Sequence, residues 1–273
     1  MVRWSAHISW LFTELPYPRR VAAARAAGFT AIESAWPERE QDRAGLVEAV
    51  ARERRANPQF AMALLNCPTG DTARGERGLI NDETRREQAE AGFAQAVELA
   101  LAIGAPALNL LVGRALPGVP ESEQRAAIVD CLRSLAPLAA RHELRILLEP
   151  VNAIENPGFL APTPDAALEL IEATGPEHAE QLGLLLDLYH VARAGLDPAE
   201  QIARHGERSG HVQLSDCPGR GAPGSGELAV WELLEQLAAS RYEGTVGLEY
   251  MPSGPTEPTL DFMRHPRARA LFG

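Results

Sequence analysis

The sequence predicts a single (β/α)8 barrel, and three observations carry that prediction. Eight short apolar, strand-like runs alternate with longer stretches of helical periodicity. No linker or shift in composition interrupts the alternation, so residues 1–273 read as one barrel domain. The competing architecture, an open doubly wound sheet, calls for a Gly-x-Gly-x-x-Gly turn between the first strand and the first helix, and none stands there.

The elements follow in order. Val2 to Phe12 reads as the first strand, because Trp4, Ala6, Ile8 and Trp10 alternate with Ser5, His7 and Ser9. Pro18 to Ala27 reads as a helix, with Pro18 in its first turn and Gly28 past its end. Ala31 to Ala35 is a second strand, and Arg43 to Ala56 a helix with Leu46, Val47 and Val50 on one face. Phe60 to Leu65 is a third strand, opening into a long loop from Asn66 to Asp82. The helix Glu83 to Ile103 is stopped by Gly104 and Pro106, and Ala107 to Val112 is a fourth strand. A helix from Glu121 to Arg141 contains Pro137, which predicts a kink or a late break.

The fifth strand is Arg145-Ile-Leu-Leu-Glu149, ended by Pro150, which cannot donate to a ladder. The helix Pro164 to Ala173 has Thr163 as N-cap and Gly175 as its stop. Then come the strand ending at Asp187, the helix Pro198 to His205, the strand holding Gln213, the helix Leu228 to Ser240, and the strand ending at Glu249. The segment from Pro258 to Phe272 reads as partly helical.

Composition excludes several functions. Net charge is −11, which argues against a nucleic-acid backbone as partner. Every basic residue other than His is Arg. Without a Lys amine there is no Schiff-base aldolase, no pyridoxal-phosphate enzyme and no Walker-type phosphate loop. Cys67, Cys131 and Cys217 are far apart and form no Cys-x-x-Cys, which fits reduced thiols and a cytoplasmic protein. The start of the chain does not resemble a signal peptide, and no apolar run is long enough to span a membrane. The expected partner is a small molecule, and a homo-oligomer is left open.

The last four strands share one grammar. Glu149, Asp187, Gln213 and Glu249 each place an oxygen-bearing side chain in or at the end of a short apolar run. In a (β/α)8 barrel the strand tips converge on one mouth, where active sites lie. Two Glu, one Asp and one Gln gathered there would bring three carboxylates together, and these would repel one another unless a cation neutralised them. All-oxygen donors suit a hard divalent ion, Mg²⁺ or Mn²⁺, better than zinc. For Gln213 the plainer alternative is a hydrogen bond within the sheet.

Several stretches resemble one family. They include Leu65-Asn-Cys-Pro68, Gly75-Glu-Arg-Gly78, Leu108-Asn-Leu-Leu-Val-Gly113 and Leu148-Glu-Pro-Val-Asn152. Asp187-Leu-Tyr-His190, Gly210-His-Val-Gln213, Gly224-Ser-Gly-Glu227 and Gly247-Leu-Glu-Tyr250 continue the match over nearly the whole chain. The pattern resembles the hydroxypyruvate isomerase family of xylose-isomerase-like barrels. That resemblance implies a metal held by Glu149, Asp187, Gln213 and Glu249, with Glu149 and Glu249 as the acid/base pair. Related sugar epimerases carry His at the position of Gln213, which favours the isomerase branch. Asn66 and Asn109 match family positions at the mouth. Thr72-Ala-Arg74 departs from the family, which often has an aromatic residue there.

The expected reaction moves a carbonyl between adjacent carbons of a small hydroxy-oxo acid through an enediolate, as between hydroxypyruvate and tartronate semialdehyde. His190 is expected either to hydrogen-bond the substrate carbonyl or to orient Asp187. Arg220 is expected to pair with the substrate carboxylate or to be a solvated surface residue. Glu76 lies in a lid-like loop and is a candidate substrate contact. The alternatives are a 2-oxo-tetronate isomerase, a ketose 3-epimerase, or a non-catalytic barrel that binds a sugar acid.

Overall fold

The computed structural model describes residues 3–272. Parallel strands β1 (Arg3–His7), β2 (Ala31–Ser34), β3 (Ala61–Asn66), β4 (Ala107–Asn109), β5 (Arg145–Leu148), β6 (Leu182–Asp187), β7 (Ser209–Leu214) and β8 (Thr245–Leu248) pair in chain order, and β8 returns to β1 to close the barrel. Around it lie α1 (Tyr17–Ala26), α2 (Glu40–Ala56), α3 (Arg86–Ile103), α4 (Glu121–Arg141), α5 (Pro164–Ala173), α6 (Leu188–Arg193), α7 (Pro198–His205), α8 (Val230–Ala239) and α9 (Pro266–Phe272). The predicted (β/α)8 barrel is therefore the observed fold. No helix among the described residues is long and apolar enough to cross a membrane.

Alternation along the strands sorts side chains into two populations. Leu65, Leu108, Ile146, Leu148, Leu184 and Leu186 face outward and join the main core beneath the helices. Leu64, Ala107, Leu147 and Leu185 point the other way and form a separate apolar cluster in the lumen. One inward step further along the same strands come Asn66, Asn109, Glu149 and Asp187. The site residues of β3 to β6 thus stand on an apolar floor, and the pleat alone fixes that they point inward.

Several boundaries differ from the sequence expectation. The first strand ends at His7 rather than Phe12, and Val2, where it was expected to begin, lies outside the described residues. Beyond His7 the chain turns, with the Trp10 and Leu11 N–H groups both donating to the His7 carbonyl at 2.9 Å. Ile8 and Leu11 stay fully buried in that turn, so the apolar pattern continues after the strand has stopped. The fourth strand ends at Asn109 instead of Val112. Helix α4 runs through Pro137 unbroken. Helix α6 was not foreseen: Asp187 caps it by accepting the Tyr189 N–H at 2.9 Å. Helices α5 and α7 have the expected limits, and the Thr163 hydroxyl caps α5 as predicted.

Candidate active site

At the C-terminal mouth, Glu149, Asp187 and His190 each offer one ligand atom, and all three atoms lie within 4.8 Å of one another. Local structure sets each of them. Glu149 follows the last residue of β5, and Pro150 ends the ladder there. Its Oε2 accepts the Asn109 side-chain amide at 2.6 Å, across the β4–β5 pair. The Asp187 Oδ1 is used by the α6 cap, which leaves Oδ2 for the mouth. His190 sits in α6, one turn after Asp187, with its Nε2 3.6 Å from Glu149 and 3.7 Å from Asp187.

The orientation of His190 is fixed from behind. The Asn152 Oδ1 accepts the Glu155 N–H at 2.9 Å, so its amide NH₂ faces the His190 Nδ1 at 2.6 Å. An imidazole that accepts at Nδ1 carries its proton on Nε2, the nitrogen that faces the two carboxylates.

Glu249 enters from the other side through Arg220. One guanidinium nitrogen of Arg220 lies 3.3 Å from both Asp187 and Glu249. The Arg220 guanidinium also stacks 4.6 Å from the Trp10 ring centroid and 5.0 Å from that of Tyr189. Of the two readings of Arg220 from the sequence, the solvated surface residue does not fit, because two carboxylates and two rings hold its guanidinium at the mouth. Its loop is ordered by the buried Asp216 carboxylate, which accepts the N–H groups of Cys217, Gly224 and Leu228.

Burial dominates the electrostatics. Loss of water, together with the Asp187 charge, pushes Glu149 up to about 7. Burial likewise holds Glu249 well above the usual carboxylate range, against the pull of Arg220 and with the Glu149 charge adding to it. Burial lowers His190 to about 4, with Asp187 opposing, so its ring is neutral near pH 7. Burial also pulls the Arg220 guanidinium down, but Glu249 and Asp187 outweigh it and raise it above its usual value.

Gln213 lies in β7, in register with Asp187 on β6. Its Nε2 donates to the buried Glu33 of β2 at 2.9 Å, and its Oε1 is buried with no hydrogen-bond partner. Asn66 ends β3 opposite Asn109 in the β3–β4 register. The Oδ1 atoms of Asn66 and Asn109 are also buried without partners. Unpaired buried oxygens cost free energy, and these three stand on strands of one barrel, at the ends of β3 and β4 and in β7. Carboxylates and amide oxygens are a donor set that fits a hard divalent cation, and the Nε2–H of His190 stands beside them as a hydrogen-bond donor.

Glu76 lies in the loop after β3 and is held by its own loop. It accepts from Arg85 at 2.6 Å and from the Asp71 N–H at 2.7 Å, so its carboxylate staples its own loop. A Cβ at Gly70 would come within 2.1 Å of that carboxylate, and Gly70 adopts a positive φ of 86°. The staple therefore requires a glycine beside it.

Several site residues were not anticipated. His7, the last residue of β1, is fully buried 3.9 Å from Glu249, with neither ring nitrogen in a hydrogen bond. Glu33 is fully buried in the middle of β2 and His211 is buried in β7. Asn152, which orients His190, was also missed. A charged residue inside a short apolar run was the available signal for Glu33, since the same signal marks Glu149. Trp10 was read as a strand residue, and its contact with Arg220 depends on the turn after His7.

Comparison with known proteins agrees with the geometry. The sequence profile described as "Xylose isomerase-like TIM barrel" matches residues 21–265. The human protein named putative hydroxypyruvate isomerase is 36% identical over 270 residues, which is 96% of this chain and 94% of that protein. The hydroxypyruvate isomerase of Escherichia coli (strain K12) is 33% identical over 263 residues, covering 96% and 98% of the two chains. The crystal structure of an AP endonuclease, family 2, from Brucella melitensis superposes with a TM-score of 0.87 at 29% identity, covering 97% of this chain and 98% of that one. The chain belongs to the hydroxypyruvate isomerase family of xylose isomerase-like TIM barrels.

Proposed function

We propose that this chain is a divalent-cation-dependent isomerase of a small hydroxy-oxo acid, interconverting hydroxypyruvate and tartronate semialdehyde. The observation that carries the reading is the mouth cluster of Glu149, Asp187 and His190, with Glu249 tied to it through Arg220. Glu149, Asp187, Gln213 and Glu249 would hold the cation, with His190 beside them; Mg²⁺ or Mn²⁺ suits these donors. When bound, the ion supplies charge stabilisation for an enediolate and polarises the carbonyl.

The chain's own residues do the rest. A carboxyl group raised toward neutrality suits a proton that must be taken and returned near pH 7, and Glu149 is raised to about 7. One of Glu149 and Glu249 removes a proton from the hydroxyl-bearing carbon, the proton of that hydroxyl passes to the former ketone oxygen, and the other glutamate delivers a solvent-exchanged proton to the neighbouring carbon. Asn109 holds Glu149 in position through its amide. The neutral His190 offers its Nε2–H to a substrate oxygen. Arg220 spans Asp187 and Glu249 and limits the charge they place on the mouth. The buried mouth excludes water from the enediolate.

The endonuclease name of the structural relative does not favour a nucleic acid here. A net charge of −11 opposes approach of a phosphate backbone. An assay of purified protein with hydroxypyruvate and Mg²⁺ or Mn²⁺, run beside a four-carbon 2-oxo acid and a free ketose, tests the substrate. Faster turnover of either comparison compound than of hydroxypyruvate rejects the substrate assignment.

A further inference from the structure

Glu33 has no place in the proton-transfer chemistry, yet it is a fully buried carboxylate reaching across the lumen. It belongs to β2, and its side-chain partners come from β1 and β7. The Ser5 hydroxyl donates to its Oε2 at 3.1 Å, the His211 Nε2 meets Oε2 at 2.5 Å, and the Gln213 Nε2 donates to Oε1 at 2.9 Å. Gly247 on β8 makes the crossing possible, since a Cβ there would stand 2.3 Å from Oε1. That distance is too short for any other residue unless the carboxylate moves.

A carboxylate only accepts hydrogen bonds, so an amide beside it must present its NH₂. The Gln213 amide is therefore turned one way. Its oxygen faces away from Glu33, buried and without a partner, on the strand position paired with Asp187. Without such a neighbour an amide can rotate by half a turn, and its NH₂ would then face, and repel, a cation.

We propose that Glu33 is the positioning residue of the cation centre: by binding the NH₂ of Gln213 it commits the carbonyl oxygen of that side chain to the metal. This rests on the reading that Gln213 is a cation ligand. Groups that orient a metal ligand from behind typically change metal affinity by about 10–100-fold when lost.

The test is Mn²⁺ binding to the EDTA-stripped protein, followed by the paramagnetic resonance of free Mn²⁺, with thermal unfolding recorded for each variant. Glu33→Gln should loosen Mn²⁺ by roughly tenfold or more, because the isosteric amide lets Gln213 turn over. Gln213→Glu should also loosen it, because the new carboxylate faces Glu33. The exchanged pair, Glu33→Gln with Gln213→Glu, should recover most of the lost affinity. If Glu33 serves only to pair with His211, Glu33→Gln lowers the unfolding temperature and leaves the Mn²⁺ Kd unchanged. In that case Gln213→Glu tightens Mn²⁺, since a carboxylate is a better ligand for a hard ion than an amide. Either result overturns the proposal, and the Gln213→Glu arm decides it even if Glu33→Gln does not fold. Gln213→Ala separates the two levels. An unchanged Kd in that variant removes the ligand role of Gln213 and the proposal with it. A loosened Kd there, beside an unchanged one in Glu33→Gln, overturns the positioning role alone.

Discussion

From β3 to β6 the lumen below the mouth is filled by Leu64, Ala107, Leu147 and Leu185. From β7 through β8 and β1 to β2 it is filled by His211, Thr245, Ser5 and Glu33, all buried. The mouth rests on both. Glu149 and Asp187 stand above the apolar half, and Gln213 and Glu249 above the polar half. An apolar floor holds what lies above it by volume, and packing has no preferred direction. A hydrogen-bonded floor holds by direction, at the cost of burying a charge that must stay partnered. Burial raises Glu33, but His211 and the hydrogen bonds around it outweigh that effect and hold its carboxyl below the usual range. Glu149, without such partners below it, is pushed up to about 7. Two buried glutamates in one barrel thus hold their protons differently, because Glu33 is surrounded by His211 and hydrogen-bond donors while Glu149 faces the Asp187 charge.

The largest expected effect falls on both halves at once. Stripping with EDTA should silence isomerisation and added Mg²⁺ or Mn²⁺ should restore it; undiminished turnover by the stripped protein breaks the account of the mouth. Next, Glu149→Gln and Glu249→Gln should each lower kcat by about 10²–10⁴-fold with little change in thermal unfolding. Similar losses on the two sides mean the floors serve one acid/base pair, whereas full activity in either variant removes that residue from it.

Leu147→Ala tests the apolar half alone. Opening a cavity under Glu149 should cost about 2–5 kcal/mol of stability in chemical denaturation and leave Mn²⁺ affinity nearly intact. A Mn²⁺ Kd that shifts as far as it does for a change at Glu33 would erase the distinction between the halves. The last comparison is in pH. A proton competes with a cation for Glu149 and for Glu249, both raised by burial, so Mn²⁺ affinity should fall as the pH drops below about 7. Affinity that stays flat from pH 5 to about 8 would show that Glu149 is not raised.

Much of this was legible in the chain, for reasons that differ by region. A short continuous apolar run ended by Pro150, set in a predicted barrel, was enough to place Glu149 at the mouth. The alternation of strands and helices was enough for the barrel. The limits of α5 and α7 followed from their Thr163 cap and their leading prolines. Less visible was whatever depends on contacts across the lumen. Glu33 and Gln213 are 180 residues apart in sequence, and only closure of the sheet makes them neighbours. His7 looked like the polar side of an alternating strand, because sequence does not say which face of a first strand is the lumen. Arg220 read equally as a substrate contact or a solvated residue because its glycine-flanked loop reads as mobile, and the Asp216 carboxylate that orders the loop is itself recruited by tertiary structure.

The most direct measurement is proton NMR of hydroxypyruvate incubated in D₂O with the Mn²⁺- or Mg²⁺-loaded protein, the paramagnetic ion being removed before recording. Transfer of a proton through a glutamate should yield tartronate semialdehyde carrying deuterium at the carbon that was the ketone. Hydroxypyruvate left unchanged by the loaded protein, or product formed without deuterium, would contradict the account.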